Sequence, residues 1–317
     1  MEIASFKLVS LDALSHSVLI IDGPSGEIVS ELPLPPGFRP VDLAVHPVAQ
    51  TVYIALAAQS GAGSLLLLNL NRRSLASAAP LIPHPAQFCL APGIEQIYLA
   101  DPTGSLYAFS LATSTLTVWD KPAGSGLCAG LASGRENLFG VWENAGGGTL
   151  AIYDHCGKIL AEYPIGGIPT SLTLDQQGRP FVPFTANAFS GEGLFFLPAI
   201  NQNDGRCAVV TIQCSCCCSV GRVYPTHVAV EPAGKLAYVA CENNASIAVI
   251  DVDSARLSAI IPLGHSPSRL ALLSDGKFAV ASSNMFADLA LIDLVNHRPL
   301  AFTSTSRELL SPLAVIE

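Results

Sequence analysis

A proline that opens a short alternating apolar strand recurs along this chain: Pro40 (PVDLAVHP), Pro85 (PAQFCLAP), Pro169 (PTSLTLDQ), Pro225 (PTHVAVEP), Pro267 (PSRLALLS) and Pro312 (PLAVIE). The unit at Leu127 (LCAGLASG) lacks the proline but keeps the frame. Starts at 40, 85, 127, 169, 225, 267 and 312 lie 45, 42, 42, 56, 42 and 45 residues apart. A period of this size decides architecture before any single element does. Within a unit the text repeats too: an alternating strand, a turn, a second strand, a polar loop, a third strand ending at Asp or Asn, a tight turn and a fourth strand. Third strands end at Asp22, Asn69, Asp154, Asp251 and Asp293. Alternation with period two, and no sustained 3.6-residue period, makes these strands. Four short strands per unit is the signature of a propeller blade.

The chain ends complete the pattern. Residues 312–317 supply a first strand without a second, and residues 1–39 supply a second, third and fourth without a first. The expected fold is therefore all-β, one seven-bladed β-propeller domain of four-stranded blades over 1–317. Its blades span about 40–84, 85–126, 127–168, 169–224, 225–266 and 267–311, with 312–317 plus 1–39 as the seventh, closed by both termini and so relieved of a free sheet edge.

Composition narrows the partners. A net charge of −9 argues against nucleic acid and anionic membrane. No apolar run reaches the ~18 residues a membrane span needs. The N-terminus shows neither a basic region nor a continuous apolar region, so no secretory signal is expected, and synthesis in the cytoplasm is. Charged residues are 13% of the chain and hydrophobic ones 50%, which implies unusual burial within the fold or against a partner.

Asp251 followed by a turn, the Gly-x-x-Pro steps at Gly37–Pro40, Gly166–Pro169 and Gly264–Pro267, and Tyr238-Val239-Ala240 at the end of a second strand resemble the YVTN-type β-propeller repeat. The blade at 225–266 matches closely. Elsewhere Leu56, Asp101 and Phe184 stand where the Asn of that tetrapeptide would be, and Trp119-Asp120 is a WD dipeptide on a fourth strand, whereas WD repeats carry it on the third. The resemblance implies a binding scaffold and little chemistry.

Strand direction alternates outward from the axis. Loops joining strands two and three therefore share one face, here the upper one, with crossings from one blade to the next. The long 169–224 unit carries extra residues at about 185–192 and 213–222, both on that face, where insertions in repeat proteins often mark the binding side. Upper-face binding candidates are Asn187, Phe189, Asn243, Asn284 and His265. Cys214, Cys216, Cys217 and Cys218 lie within five residues, and Cys207 is upstream. In an extended segment Cys214, Cys216 and Cys218 point one way. They are candidates for cross-linking or for a soft metal such as zinc, although paired Cys-x-x-Cys spacing is missing; inert thiols are the third reading, and no cofactor is otherwise expected. Cys89, Cys128, Cys156 and Cys241 read as core or turn residues.

No zinc-protease, nucleophile-elbow, Walker or dinucleotide motif occurs. His46, His155, His227 and His297 read as surface or capping groups, while His84 and His265 precede blade-opening positions on the upper face. Third-strand aspartates read as turn caps. The expectation is a non-enzymatic protein-binding or structural scaffold, a homo-oligomer or filament subunit at a cell or spore surface, cross-linked through its cysteines. The alternative is a lyase or lactonase-like enzyme with a metal at the axis. Its site would need histidine and carboxylates, and Glu143, Glu242 and His265 are joined by no motif.

Overall fold

A computed structural model describes residues 5–12, 14–46, 51–81, 84–91, 93, 96–186, 192–197, 207–213, 223–283, 288–304 and 309–316. Its strands form seven antiparallel sheets of the expected kind, and there is no helix among the described residues. Blade one, for example, runs Phe38–Val45, Thr51–Ala58, Gly63–Asn69 and Ser74–Leu81, each strand paired with the next. Blade seven takes its innermost strand, Leu309–Ile316, from the C-terminal end and sets it against Lys7–Asp12, which is followed by Ser17–Asp22 and Ile28–Pro33. The seam is thus a backbone ladder, as the two half-units require.

The core is a torus. Seven hydrophobic clusters lie one in each gap between adjacent blades. Second and third strands are consequently buried on both faces, which is why they read as continuous apolar runs such as Ser246–Asp251 (SIAVID) and Leu236–Cys241 (LAYVAC). Fourth strands cover one face only and alternate, as Ile159–Ile165 shows. Two-sided burial of half the strands accounts for much of the low charged fraction.

Turns between third and fourth strands follow one design. Asp22, Asn69, Asp154, Asp251 and Asp293 accept backbone N–H bonds from residues two to four positions on, including Ser25, Arg72, Cys156, Ser254 and Asn296. The chain then turns left-handed at Gly26, Arg73, Gly157, Ala255 and His297. The caps expected at these positions are present.

Blade four departs most from the repeat. Its first strand is split into Ile168–Pro169 and Thr173–Leu174, both paired to Pro180–Thr185. Its connection from third to fourth strand runs from 197 to 207, against 252–255 in blade five, so part of the extra length belongs to that connection and not only to the two segments expected. The blade is fixed to its neighbour by Arg179. This buried side chain bonds Asp175 at 2.6 Å and donates to the Gly234 carbonyl of blade five at 2.6 Å.

Candidate functional site

Two adjoining spaces lie around the axis. On the upper face a cleft of about 630 Å³ is bounded by blades seven, one, two and three. Its polar groups are His16, Arg39, His84 and Asp101; its apolar wall includes Pro85 and Leu127. Arg39 Nη2 donates to His84 Nε2 at 3.3 Å, so the proton of that imidazole sits on Nδ1, a buried atom without a partner. Asp101 is committed to its own turn. It accepts from Thr103, Ser105 and the Tyr107 hydroxyl, and these bonds outweigh burial and hold its carboxyl below the usual range. The cleft therefore presents cationic and imidazole groups on a chain of net negative charge.

Below it, sharing the walls Val41 and Ala86, is an axial cavity of about 140 Å³. Its polar lining is Asp42, Gln87, Ser171, His227 and Arg269. Each stands two residues after the start of its repeat unit: 40 to 42, 85 to 87, 169 to 171, 225 to 227 and 267 to 269. The first strand of a blade runs along the axis, and this frame position brings a polar side chain to the cavity from five of the blades. Ala129 and Ala314 occupy it in blades three and seven. Sequence reasoning missed this ring, and the signal was available: a polar residue at a fixed offset in five of seven units. His227, read as a surface or capping group, is instead a wall of the channel.

Asp42, His227 and Arg269 are half-buried residues in the lining of this cavity. Burial pushes the Asp42 carboxyl up to about 6, against the attraction of Arg269 and backbone N–H bonds from Leu43 (2.9 Å) and Phe88 (3.5 Å). Burial, with Arg269 adding to it, pushes His227 down to about 3, so its imidazole is neutral near pH 7. Arg269 is lowered by burial and supported by Asp42; a guanidinium keeps its charge under such a shift. Ser171 Oγ and His227 Nδ1 are buried without a partner.

The other candidates do not join this site. His265 is buried in the crossing between blades five and six, edge-on to the Phe302 ring at 5.2 Å, and burial lowers its imidazole despite Asp288. Asn243 is exposed in an upper-face turn of blade five. Asn187, Phe189 and Asn284, with Cys214, Cys216, Cys217 and Cys218, lie outside the described residues. Cys207 is an exposed free thiol at the lower end of Ala208–Thr211, whose upper end leads towards the other cysteines. Cys89, Cys128, Cys156 and Cys241 are also free, and no group of three metal-ligating side chains converges among the described residues. The bases of both upper-face insertions are tied together: the buried Glu192 accepts from Val223 N–H and from Tyr224 N–H at 3.2 Å, and Ile212 N–H donates to the Glu192 carbonyl at 2.9 Å.

Comparison with known proteins supports the architecture. The chain superposes on a functionally unknown protein from Desulfotomaculum acetoxidans with a TM-score of 0.72 and 15% identity, covering 99% of both chains. It matches hydrazine synthase from Kuenenia stuttgartiensis with a TM-score of 0.71 and 15% identity, over 88% of this chain and 89% of that one. Apo AztD from Citrobacter koseri gives 0.66 and 12%, over 99% and 98%. At these identities the likeness shows a shared seven-bladed β-propeller fold and no shared activity. No family model matches the chain, and no curated protein matches it. No helix among the described residues is long and apolar enough to cross a membrane.

Proposed function

We propose that this propeller is a non-enzymatic binding scaffold, related in repeat design to the YVTN-type propellers, that receives a protein segment across its upper face. The observation that carries this reading is the 630 Å³ cleft, in which Arg39, His16 and His84 stand beside an apolar wall. A few placed polar groups on an otherwise apolar concave surface is the pattern of a recognition site, and the Arg39 guanidinium, with the hydrogen-bonding imidazoles beside it, favours an acidic segment. Panning a displayed peptide library on the protein tests it. Recovered peptides should be acidic and should lose about tenfold or more in affinity for an Arg39→Ala, Leu127→Asp variant. Peptides that bind the variant equally well, or none recovered, would remove the reading.

Self-association through the cysteine-bearing crossing between Ile212 and Val223 is the finer form of this proposal. It is supported by the chain's low charged fraction and by exposed Val118, Val209 and Phe302 on outermost strands. Replacing Cys214, Cys216, Cys217 and Cys218 by Ser should leave the melt unchanged and make a multimer sensitive to detergent without reductant. An unfolded variant would favour a structural zinc site there instead. The enzymatic alternative draws on the charged groups at the axis. There, among the described residues, one carboxylate and one imidazole stand with a guanidinium, a set that suits a polar ligand better than a divalent cation.

A further inference from the structure

The axial cavity is a site in its own right. Ser171 is more than nine-tenths buried and lines the cavity, and its hydroxyl has no partner; the half-buried His227 lines it too, and its Nδ1 atom is buried without a partner. Buried polar atoms are left in that condition only at a cost, and in native proteins they usually meet a ligand or water. Opposite charges stand on two walls: the Asp42 carboxylate on blade one and the Arg269 guanidinium on blade six. Between them are groups that can donate and accept.

We propose that this cavity binds a small zwitterion of the free amino acid class, with its carboxylate on Arg269 and Ser171 and its ammonium on Asp42. A lone anion would meet the Asp42 carboxylate, and a lone cation the Arg269 guanidinium. A ligand carrying both charges a few ångströms apart meets each with its opposite. Guanidinium is matched in shape to carboxylate, and the neutral imidazole of His227 supplies a hydrogen bond without a third charge. The volume of about 140 Å³ equals that of roughly five water molecules, which suits glycine, alanine or serine and excludes long side chains. Val41 and Ala86 border both the cavity and the cleft above it.

Calorimetric titration of the full chain with glycine, L-alanine and L-serine, beside acetate and ethylamine as single-charge probes, tests the assignment. Alanine should bind at least about tenfold more tightly than acetate or ethylamine. Asp42→Asn should abolish the preference of alanine over acetate, a change of selectivity that general destabilisation would not produce. Arg269→Gln should weaken alanine by about tenfold or more; if that variant fails to fold, Ser171→Ala should weaken it by about fivefold. Acetate or ethylamine binding as well as alanine, absence of heat with every amino acid at millimolar concentration, or an unaltered selectivity in a folded Asp42→Asn protein would each overturn the proposal.

Discussion

His227 and Asp42 titrate in opposite senses, and their effects on stability are separable. His227 titrates near 3 in the fold and near 6.5 when unfolded, so between those values the unfolded chain takes up a proton that the folded one does not. Its contribution is present above pH 6.5 and lost on acidification, amounting to at most about 2 kcal/mol by pH 5, with water in the channel reducing it. Asp42 is raised to about 6, so its contribution is present below the ordinary carboxylate value and lost as pH rises through 6. The groups facing this pair are Arg269, between them electrostatically, and the Cys89 thiol, which burial and Asp42 keep protonated. His227→Gln should therefore flatten the acid limb of a stability profile measured by urea unfolding between pH 7 and 4, and Asp42→Asn should steepen it. Parallel profiles would show that neither group is buried as described.

At the scale of elements, blades two and three are latched by a turn. The indole of Trp142, fully buried, donates to the Gly104 carbonyl at 2.9 Å, and Gly104 sits at φ 79° where a Cβ would run into the Gly126 carbonyl oxygen. Gly104→Ala should cost about 2 kcal/mol or more through the left-handed backbone and the clash. Trp119 and Trp142, the two tryptophans of the chain, both pack in this gap, so a shifted urea midpoint should be accompanied by a red shift in their emission; an unchanged midpoint would contradict the latch. Such elements show where sequence is legible. Blade strands declare themselves because two-sided burial writes apolar runs and the capped turn writes Asp or Asn after each. The WD dipeptide is explained by neighbours: Trp119 packs against Tyr98 and Tyr153 across the gap. The axial set was hidden because Asp42, Ser171, His227 and Arg269 are far apart in sequence, and each looks like the solvent-facing member of an alternating strand. Only the propeller turns those faces towards one another. The 197–207 connection was missed because length alone does not say which loop carries it.

For the whole molecule, stability depends on one seam. A chain ending at residue 308 lacks Leu309–Ile316, leaving the inner edge of Lys7–Asp12 unpaired and the gaps to blades six and one open. Loss of several kcal/mol or aggregation is expected, and differential scanning calorimetry with light scattering would register it; a truncated chain that melts as the intact one does would refute terminal closure. The seam bears on the site as well. Arg269 and Asp42 belong to blades six and one, the two that flank blade seven, with Ala314 of the terminal strand at the frame position between them. The spacing of the two charges is thus set by a strand contributed from the far end of the chain, like the gauge of a hoop set at its lap joint. An occupant bridging the two walls would brace that joint, so slow exchange of the amides along Lys7–Asp12 would report what the bore contains.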